Sequence, residues 1–222
     1  MLGSKVSFRK AKLPSKKKLI GKYCFLEPIN VQKHSKDLFN NFLKDKKNII
    51  WTYLPYGPFK TYVSFKKWLK SSCLKKDPFF YAIYSKKYKQ YCGMASYLRI
   101  TPEYGVIEVG HINYSPILQN TTAGTETMYL MMKNAFEILG NRRYEWKCNT
   151  LNTPSKNAAK RLGFKFEGVF RQMVITKGRS RDNAWFSIID KEWKKLKKGY
   201  LNFLKPSNFD KSCKQFKKLK LD

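Results

Sequence analysis

The stretch IEVGHINYSPILQNTTAGTETMYLM, residues 107–131, contains the pattern that decides the fold. Up to Tyr114 it alternates apolar and polar residues, which is typical of a half-buried strand. From Gln119 to Leu139 the residues favour a long helix, and the threonines at its start are preferred capping residues. Such a helix start has unpaired N–H groups and a positive dipole end, which suits a phosphate group. Many strand-to-helix turns share these features without binding phosphate, so both interpretations stay open.

The segments on either side of this stretch predict a mixed fold. An antiparallel meander comes first and strand–helix–strand units follow, so we expect an α+β fold. Its central mixed sheet should be mostly antiparallel, with about six to seven strands and helices on both faces. The predicted strands are 23–29, 78–84, 91–100, 105–114, 144–148, 164–175 and 182–189, and the predicted helices are 31–46, 61–75, 119–139 and 155–162.

Length and composition indicate one domain with basic ends. The chain has 222 residues, of which 42% are hydrophobic, enough for one substantial core. Residues 1–22 carry eight Lys or Arg and no acidic residue, and residues 191–222 carry eleven Lys and three acidic residues. We therefore predict a domain over 23–195, a basic N-terminal extension over 1–22 and a basic C-terminal tail over 196–222. We expect the domain to fold without residues 1–20 and 200–222.

The charge balance is strongly basic. There are 46 Lys and Arg against 15 Asp and Glu, a formal net charge of +31. A positive field of this size attracts polyanions such as nucleic acid, the ribosome, an anionic membrane or a phosphate-rich cofactor. The alternative is that the lysine excess is compositional and serves solubility.

Cysteine and histidine are too sparse and scattered for a zinc site or a disulfide framework. We therefore expect no metal and reduced thiols, which fit a cytoplasmic location. No apolar run approaches the length of a membrane span. The basic N-terminus leaves an organelle transit peptide as an alternative. The residues concerned are Cys24, Cys73, Cys92, Cys148, Cys213, His34 and His111.

Several motifs together resemble the GNAT family of acetyltransferases. Gln119-x-x-Thr122-x-Gly124 resembles its acetyl-CoA-binding loop, with Thr122 where that motif usually has Gly. The segments EWKCNTLNTPSKNAAKRLGFKFEGVFR (145–171) and KGRSRDNAWFSIIDKEW (177–193) are similar to the branch that acetylates ribosomal protein N-termini, the RimJ/RimL type. The similarity covers about residues 23–195.

This resemblance implies a sheet splayed at its fourth strand and acetyl-CoA as co-substrate. It implies direct attack by an amine in a ternary complex, with a protein or peptide α-amino group, for example on a ribosomal protein, as acceptor. The alternatives are a small-molecule amine as acceptor, or a non-catalytic nucleic-acid- or ribosome-binding protein on the same scaffold. The residues it implies for binding acetyl-CoA are Ile117, Leu118, Gln119, Thr122, Ala123, Gly124, Thr125, Asn152, Ser155, Lys156 and Arg161.

Three residues are candidates for catalysis. Amide formation requires a neutral amine, so a base must remove a proton. The resemblance places Glu108 beside the acetyl group; the alternative is a strand carboxylate paired with Lys or Arg. His111 lies three residues on and reaches the same cleft only if a bulge intervenes. The resemblance also places Ser155 near the thioester sulfur as donor to the leaving thiolate, whereas helix capping is the local alternative.

The segment WTYLPYGPF, residues 51–59, has too many aromatic residues for an ordinary loop. It resembles the substrate-side loop of the same family. We consider two roles: its aromatic residues line the amine pocket, or they fill a small core over the sheet. The residues are Trp51, Tyr53, Tyr56 and Phe59.

Overall fold

The computed structural model describes residues 2–210 and 214–221, so Cys213 lies outside the described residues. Within these residues the chain forms one eight-stranded sheet in the order β1-β2-β3-β4-β5-β6-β8-β7. Neighbouring strands are antiparallel except β5 and β6. The strands are β1 (Leu19–Ile20), β2 (Cys24–Pro28), β3 (Phe79–Ser85), β4 (Gln90–Thr101), β5 (Val106–Tyr114), β6 (Arg143–Asn149), β7 (Lys165–Thr176) and β8 (Arg179–Ile189).

Helices cover both faces of the sheet. The helices are α1 (Val31–Phe42), α2 (Tyr62–Ser72), α3 (Thr122–Lys133), α4 (Thr153–Arg161) and α5 (Asp190–Phe203). On one face α3 and α5 bury residues such as Met131 and Tyr200 against the sheet. On the other face α1 and α2 bury Leu38 and Phe65. The fold class predicted from the sequence is thus confirmed.

The sheet has one strand more than the sequence predicted. Strand β1 lies in the segment interpreted as a basic extension, and Leu19 pairs with Leu26 of β2. Two residues are too few to produce a detectable alternation, so pairing with β2 alone makes this segment a strand.

Helix α3 begins at Thr122, three residues later than predicted. The Thr121 hydroxyl accepts the Gly124 N–H, so Thr121 is the cap and ends the preceding loop. A π-helical turn over Asn134–Ile138 continues the helix almost to the predicted end at Leu139.

Both chain ends contact the domain. The Phe8 ring lies against Gly105, and the Lys12 N–H donates to the Leu139 carbonyl. Helix α5 continues through the predicted boundary at residue 195 and buries Tyr200 and Phe203 in the main core. The two ends therefore contribute to the packing of the domain.

No helix in the described part of the chain is both long enough and apolar enough to cross a membrane.

Candidate active site

A large cavity lies where two central strands separate. β5 and β6 pair in parallel over four residues, ending with Val109 opposite Trp146. Both strands continue, β5 to Tyr114 and β6 to Asn149, without further pairing to each other. A cavity of about 940 Å³ is lined by the separated ends of both strands and by the starts of α3 and α4. The edges of both strands that face the gap therefore offer backbone N–H and C=O groups to a ligand.

A bulge in β5 brings two candidate catalytic residues into the same cavity. Between Gly110 and Asn113, β5 has one residue more than its partner β4, and His111 has a φ of 49°. Residues three apart on a regular strand face opposite sides of the sheet. Because the bulge interrupts that alternation, Glu108 and His111 both line the cavity.

Glu108 is a buried carboxylate with two cationic partners. Its two carboxylate oxygens accept from Arg99 Nη1 at 2.9 and 2.8 Å, and Lys147 Nζ lies 2.9 Å from Oε2. Burial raises the pKa of Glu108, although the charges of Lys147 and Arg99 act in the opposite direction. The carboxylate thus combines the two interpretations left open by the sequence, since it is ion-paired and also lines the cavity.

His111 is a neutral imidazole at pH 7. Burial lowers its pKa to about 4, and the positive charge of Arg99 acts in the same direction. Its Nδ1 lies 3.2 Å from the Tyr56 hydroxyl, and the two rings stack. A neutral ring nitrogen can accept a hydrogen bond or a proton from a group in the cavity.

Asn113 is a cavity residue that the sequence did not single out. It is 3% exposed, and neither its amide nitrogen nor its amide oxygen has a hydrogen-bond partner among the described residues. Buried polar groups nearly always have a hydrogen-bond partner, so the unpartnered amide of Asn113 indicates that a polar ligand or a water bonds to it in the cavity. A ligand with amide groups fits both of its hydrogen-bonding atoms.

The start of α3 forms another wall of the cavity. Gly124 packs closely: a Cβ there would lie 2.9 Å from the Leu118 carbonyl oxygen. Arg161 from α4 donates to the Thr125 hydroxyl at 3.3 Å, which holds its guanidinium beside the helix start. Unpaired N–H groups, the helix dipole and a guanidinium together favour a phosphate group here.

Ser155 and Asn152 lie at the start of α4 and line the same cavity. Asn152 Oδ1 accepts the Ser155 N–H at 3.2 Å, so the predicted capping contact is present. The Ser155 hydroxyl accepts from Trp146 Nε1 at 3.0 Å. Because the indole N–H only donates, the Ser155 hydroxyl keeps its own proton for another acceptor.

Several residues predicted to bind the cofactor lie outside the wall of the main cavity, and Gln119 lies in the wall with its amide nitrogen already hydrogen-bonded. The amide nitrogen of Gln119 donates to the Tyr114 carbonyl. Ile117 and Leu118 pack against the apolar core, and Lys156 lines a separate cavity of about 270 Å³. The predicted residues outside the walls of the main cavity are Ile117, Leu118, Thr122, Ala123 and Lys156.

The aromatic loop is mainly a small core. Trp51 is 4% exposed and packs against Phe59, and the Tyr56 ring lies between Trp68 and His111. Tyr53 lines the cavity, and its hydroxyl donates to the Leu151 carbonyl at 3.0 Å. Of the four aromatic residues predicted to line the amine pocket, Tyr53 lies in the wall of the main cavity and the other three do not.

Among the cavity side chains that the sequence did not single out, four are charged or have an unsatisfied amide. Two pair with Glu108 from neighbouring strands, one is the unsatisfied amide, and one is a guanidinium from β8. A concentration of arginine between residues 99 and 181 was the available signal, but it did not show which side chains meet. The residues are Arg99, Asn113, Lys147 and Arg181.

Residues 24–165 match the GNAT acetyltransferase domain. The chain belongs to this family. It is 41% identical to a GCN5-related N-acetyltransferase from Brucella melitensis, with a TM-score of 0.92 and 95% of both chains covered. An uncharacterised N-acetyltransferase, YnaD, from Bacillus subtilis is 24% identical over 86 residues. That match spans 39% of this chain and half the length of YnaD.

A more distant structure shares the fold. It is RimL, a ribosomal L7/L12 α-N-protein acetyltransferase in complex with coenzyme A. It is 19% identical, with a TM-score of 0.65, and the alignment covers 77% of this chain and 96% of RimL.

The protein is an acyl-CoA-dependent N-acetyltransferase, as the family and its homologues indicate. Its cavity fits an acyl-CoA in two respects. The start of α3 with Arg161 suits the phosphates, and the unsatisfied amide of Asn113 suits the amide groups of the pantetheine arm. Among residues 2–210 and 214–221 there is no group of three or more His, Cys, Asp or Glu side chains that could hold a metal ion.

Proposed function

We propose that this GNAT enzyme transfers an acetyl group from acetyl-CoA to the α-amino group of a protein or peptide. The observation that carries the proposal is the gap between β5 and β6, where two unpaired strand edges meet Glu108, the acidic residue of the cavity wall. An extended peptide can hydrogen-bond to such an edge and present its terminal amine at the end of the gap. A compact small-molecule amine has no backbone to use these groups.

Three residues are assigned chemical roles in this proposal. Acetyl-CoA, when bound, supplies the activated thioester. Glu108 removes a proton from the acceptor ammonium, directly or through a held water, because burial raises the pKa of this carboxylate. His111, neutral at pH 7, holds the amine or that water through a ring nitrogen. Ser155 donates its hydroxyl proton to the leaving thiolate.

Binding of acetyl-CoA is assigned to two sets of groups. Gln119, Gly124, Thr125 and Arg161 provide the phosphate site at the start of α3, with the first N–H groups of the helix, including those of Thr122 and Ala123. Asn113 and Asn152 provide amide contacts for the pantetheine arm. Lys156 lies in the second cavity, so we omit it from this assignment.

The choice of an α-amine follows from its acidity. An α-ammonium has a pKa of about 8 and a lysine ammonium about 10.4, so a lysine costs roughly 3 kcal/mol more to deprotonate. A single carboxylate held by two cations is a modest base, which suits the more acidic amine. The acceptor of RimL, a ribosomal protein α-amine, is in keeping with this choice. The high net charge further favours acceptors on a polyanion such as the ribosome.

A competition assay tests the acceptor. The full chain and acetyl-CoA are given equal concentrations of an acidic peptide with a free N-terminus, a peptide with free lysine but a blocked N-terminus, and spermidine. Mass spectrometry should show the free N-terminus acetylated fastest. Faster acetylation of spermidine would assign a small-molecule amine as acceptor and overturn the proposal, and faster acetylation of lysine would overturn the pKa argument.

A further inference from the structure

Arg181 lines the main cavity but has no role in the proposed chemistry or in the proposed binding of acetyl-CoA. It lies on β8. Its Nε donates to Asn183 Oδ1 at 2.6 Å, and its Nη1 donates to the Tyr53 carbonyl at 3.3 Å. Asn183 is a buried residue of β8 and Tyr53 belongs to the aromatic loop, so two separate parts of the structure hold the guanidinium. It is thereby fixed in orientation before a ligand arrives.

No carboxylate among the described residues lies within ion-pair distance of this guanidinium. Among the described residues Arg99 and Arg143 both form ion pairs with Glu side chains, whereas Arg181 forms none. Its two bonds are to an amide oxygen and a backbone carbonyl, which are neutral acceptors. Burial lowers the pKa of Arg181, which means that its cation is partly withdrawn from water. A cation that is partly buried and unpaired favours an anion brought by a ligand.

The coenzyme phosphates are already assigned to another guanidinium of the cavity. Arg161 serves the start of α3, where it bonds to Thr125. Arg181 instead interacts electrostatically with Glu108 and Arg99, at the catalytic end of the cavity. The two guanidinium groups therefore lie in separate parts of the cavity, and Arg181 lies on the acceptor's side.

We propose that Arg181 binds a carboxylate of the acceptor and so selects amines that carry an acidic group close to the reacting nitrogen. This inference rests on the proposed function. The acceptor amine, positive before it loses its proton, lies beside Glu108, and its carboxylate lies against the guanidinium of Arg181. A guanidinium fork matches a carboxylate in two parallel hydrogen bonds, and Arg181 still has donors for them. The acceptor class is a peptide with Asp or Glu among its first residues.

The same charge pattern occurs in a free amino acid, whose α-carboxylate adjoins its amine. The shared chemistry is an amine with a nearby carboxylate, and the assay separates the two sources. One arm uses peptides with Asp at position 1, 2 or 3 and matched peptides with Asn at that position. The other arm uses free aspartate and its α-amide.

The variant is Arg181→Gln, assayed in the full chain with acetyl-CoA saturating. With the wild type, kcat/KM for the best Asp peptide should exceed that for its Asn match by about 10- to 100-fold, mainly through KM, as expected for a charged hydrogen bond. In Arg181→Gln this ratio should fall to about 1, because only the Asp peptide has a carboxylate that loses its partner. Arg179→Gln, an exposed charge on the same strand, is the control and should keep the wild-type ratio.

Two results would overturn the inference while leaving the proposed function intact. The first is a wild-type ratio near 1 for every Asp–Asn pair. The second is an Arg181→Gln variant that loses activity equally on both peptides, because this would mean that Arg181 only ties β8 to Tyr53. Acetylation of free aspartate in preference to every peptide would show that the acceptor whose carboxylate binds at Arg181 is a free amino acid and would overturn the peptide class.

Failure of the proposed function has a different signature, which is that no peptide α-amine is acetylated whatever its charge. The carboxylate site is then tested by binding alone. Isothermal titration of N-acetylated Asp and Asn peptides into the enzyme with coenzyme A should show binding of the Asp form, and its loss in Arg181→Gln. Equal binding of the two forms, or no binding of either, would overturn the inference.

Discussion

At the residue scale, Glu108 and Glu145 are a matched pair of carboxylates. The two lie opposite each other on β5 and β6, both are buried, and both contact Lys147 Nζ, at 2.9 and 2.8 Å. Glu108 lines the cavity, whereas Glu145 is not among the cavity residues. Substituting either one removes one partner of Lys147, so the effect on stability is similar and any difference in catalysis comes from the position in the cavity.

Glu108→Gln should lower kcat by about 100-fold or more, because it removes a base and keeps the shape of the side chain. The wild-type rate should rise as the pH increases through the pKa of Glu108, which burial raises, since the carboxylate is the active form. The variant should lose this limb of the pH–rate profile. Glu145→Gln should keep the limb and most of kcat. A Glu108→Gln profile identical to that of the wild type would exclude Glu108 as the base.

His111 should make the protein less stable in mild acid. Its pKa is about 6.5 in the unfolded chain and about 4 in the fold, so below pH 6.5 only the unfolded state gains the proton. The contribution of His111 to the free energy of unfolding is therefore complete above pH 6.5. It decreases as the pH falls toward 4, by about 2 kcal/mol at pH 5. His111→Asn, a residue that tolerates the positive φ, should remove this loss.

The measurement is urea unfolding at pH 7 and pH 5, compared between the two proteins. His34 is also buried with a lowered pKa, and it remains in both proteins, so its contribution cancels in the comparison. An equal loss of stability in both proteins would show that the imidazole of His111 takes up its proton in the folded state.

At the element scale, the start of α3 depends on a residue from α4. The guanidinium of Arg161 lies beside the first turn of α3, so the phosphate site is shared between two helices. Gly124 is a poor probe of this site, since any side chain there would meet the Leu118 carbonyl and displace the helix itself. Arg161 is exposed and can be replaced without disturbing packing.

Arg161→Gln should raise the Kd of acetyl-CoA by about 10- to 100-fold, as expected for the loss of a charged hydrogen bond to phosphate. Isothermal titration at constant ionic strength measures this change. Lys160→Gln, the exposed neighbour outside the main cavity, is the control for lost charge and should bind almost as the wild type does. Equal effects of the two substitutions would mean that only the general positive field attracts the cofactor.

At the scale of the whole molecule, the C-terminal segment completes the core. The Tyr200 side chain is fully buried and its hydroxyl donates to the Leu162 carbonyl at 3.0 Å, while Phe203 and Leu204 are also buried. Leu221 packs against Gly163, which brings the end of the chain back to the end of α4. From residue 199 on, the described lysines are exposed, whereas Tyr200 and Phe203 are buried.

Ending the chain after residue 198 should therefore lower the free energy of unfolding by more than about 5 kcal/mol, because each large buried side chain contributes about 3–5 kcal/mol. That loss is comparable with the whole stability of many domains. Removal of residues 2–6, which are exposed, should change it by less than about 0.5 kcal/mol. Urea unfolding of the two truncated chains tests this, and a stable chain ending at residue 198 would restore the expectation that the segment is a dispensable tail.

What the sequence predicted well are features that depend on neighbours along the chain. The alternation in 107–114 predicts a strand, and the threonines that follow predict a capped helix start. The structure has the strand and has Thr121 as the cap. The order of strands and helices, together with the family resemblance, predicts a mixed, mostly antiparallel sheet with helices on both faces. These features follow from the periodicity of side chains and from local hydrogen bonds, which a few consecutive residues determine.

The tertiary structure alone decided which side chains share the cavity. The bulge at His111 is a property of the register between β4 and β5, and no residue of β5 alone specifies it. Glu108 obtains Arg99 from β4 and Lys147 from β6, and Arg181 obtains Tyr53 from a loop 128 residues earlier in the chain. Burial, pKa and ion pairing depend on distances through space, and these exist only once strands that are remote in sequence have been packed into one sheet.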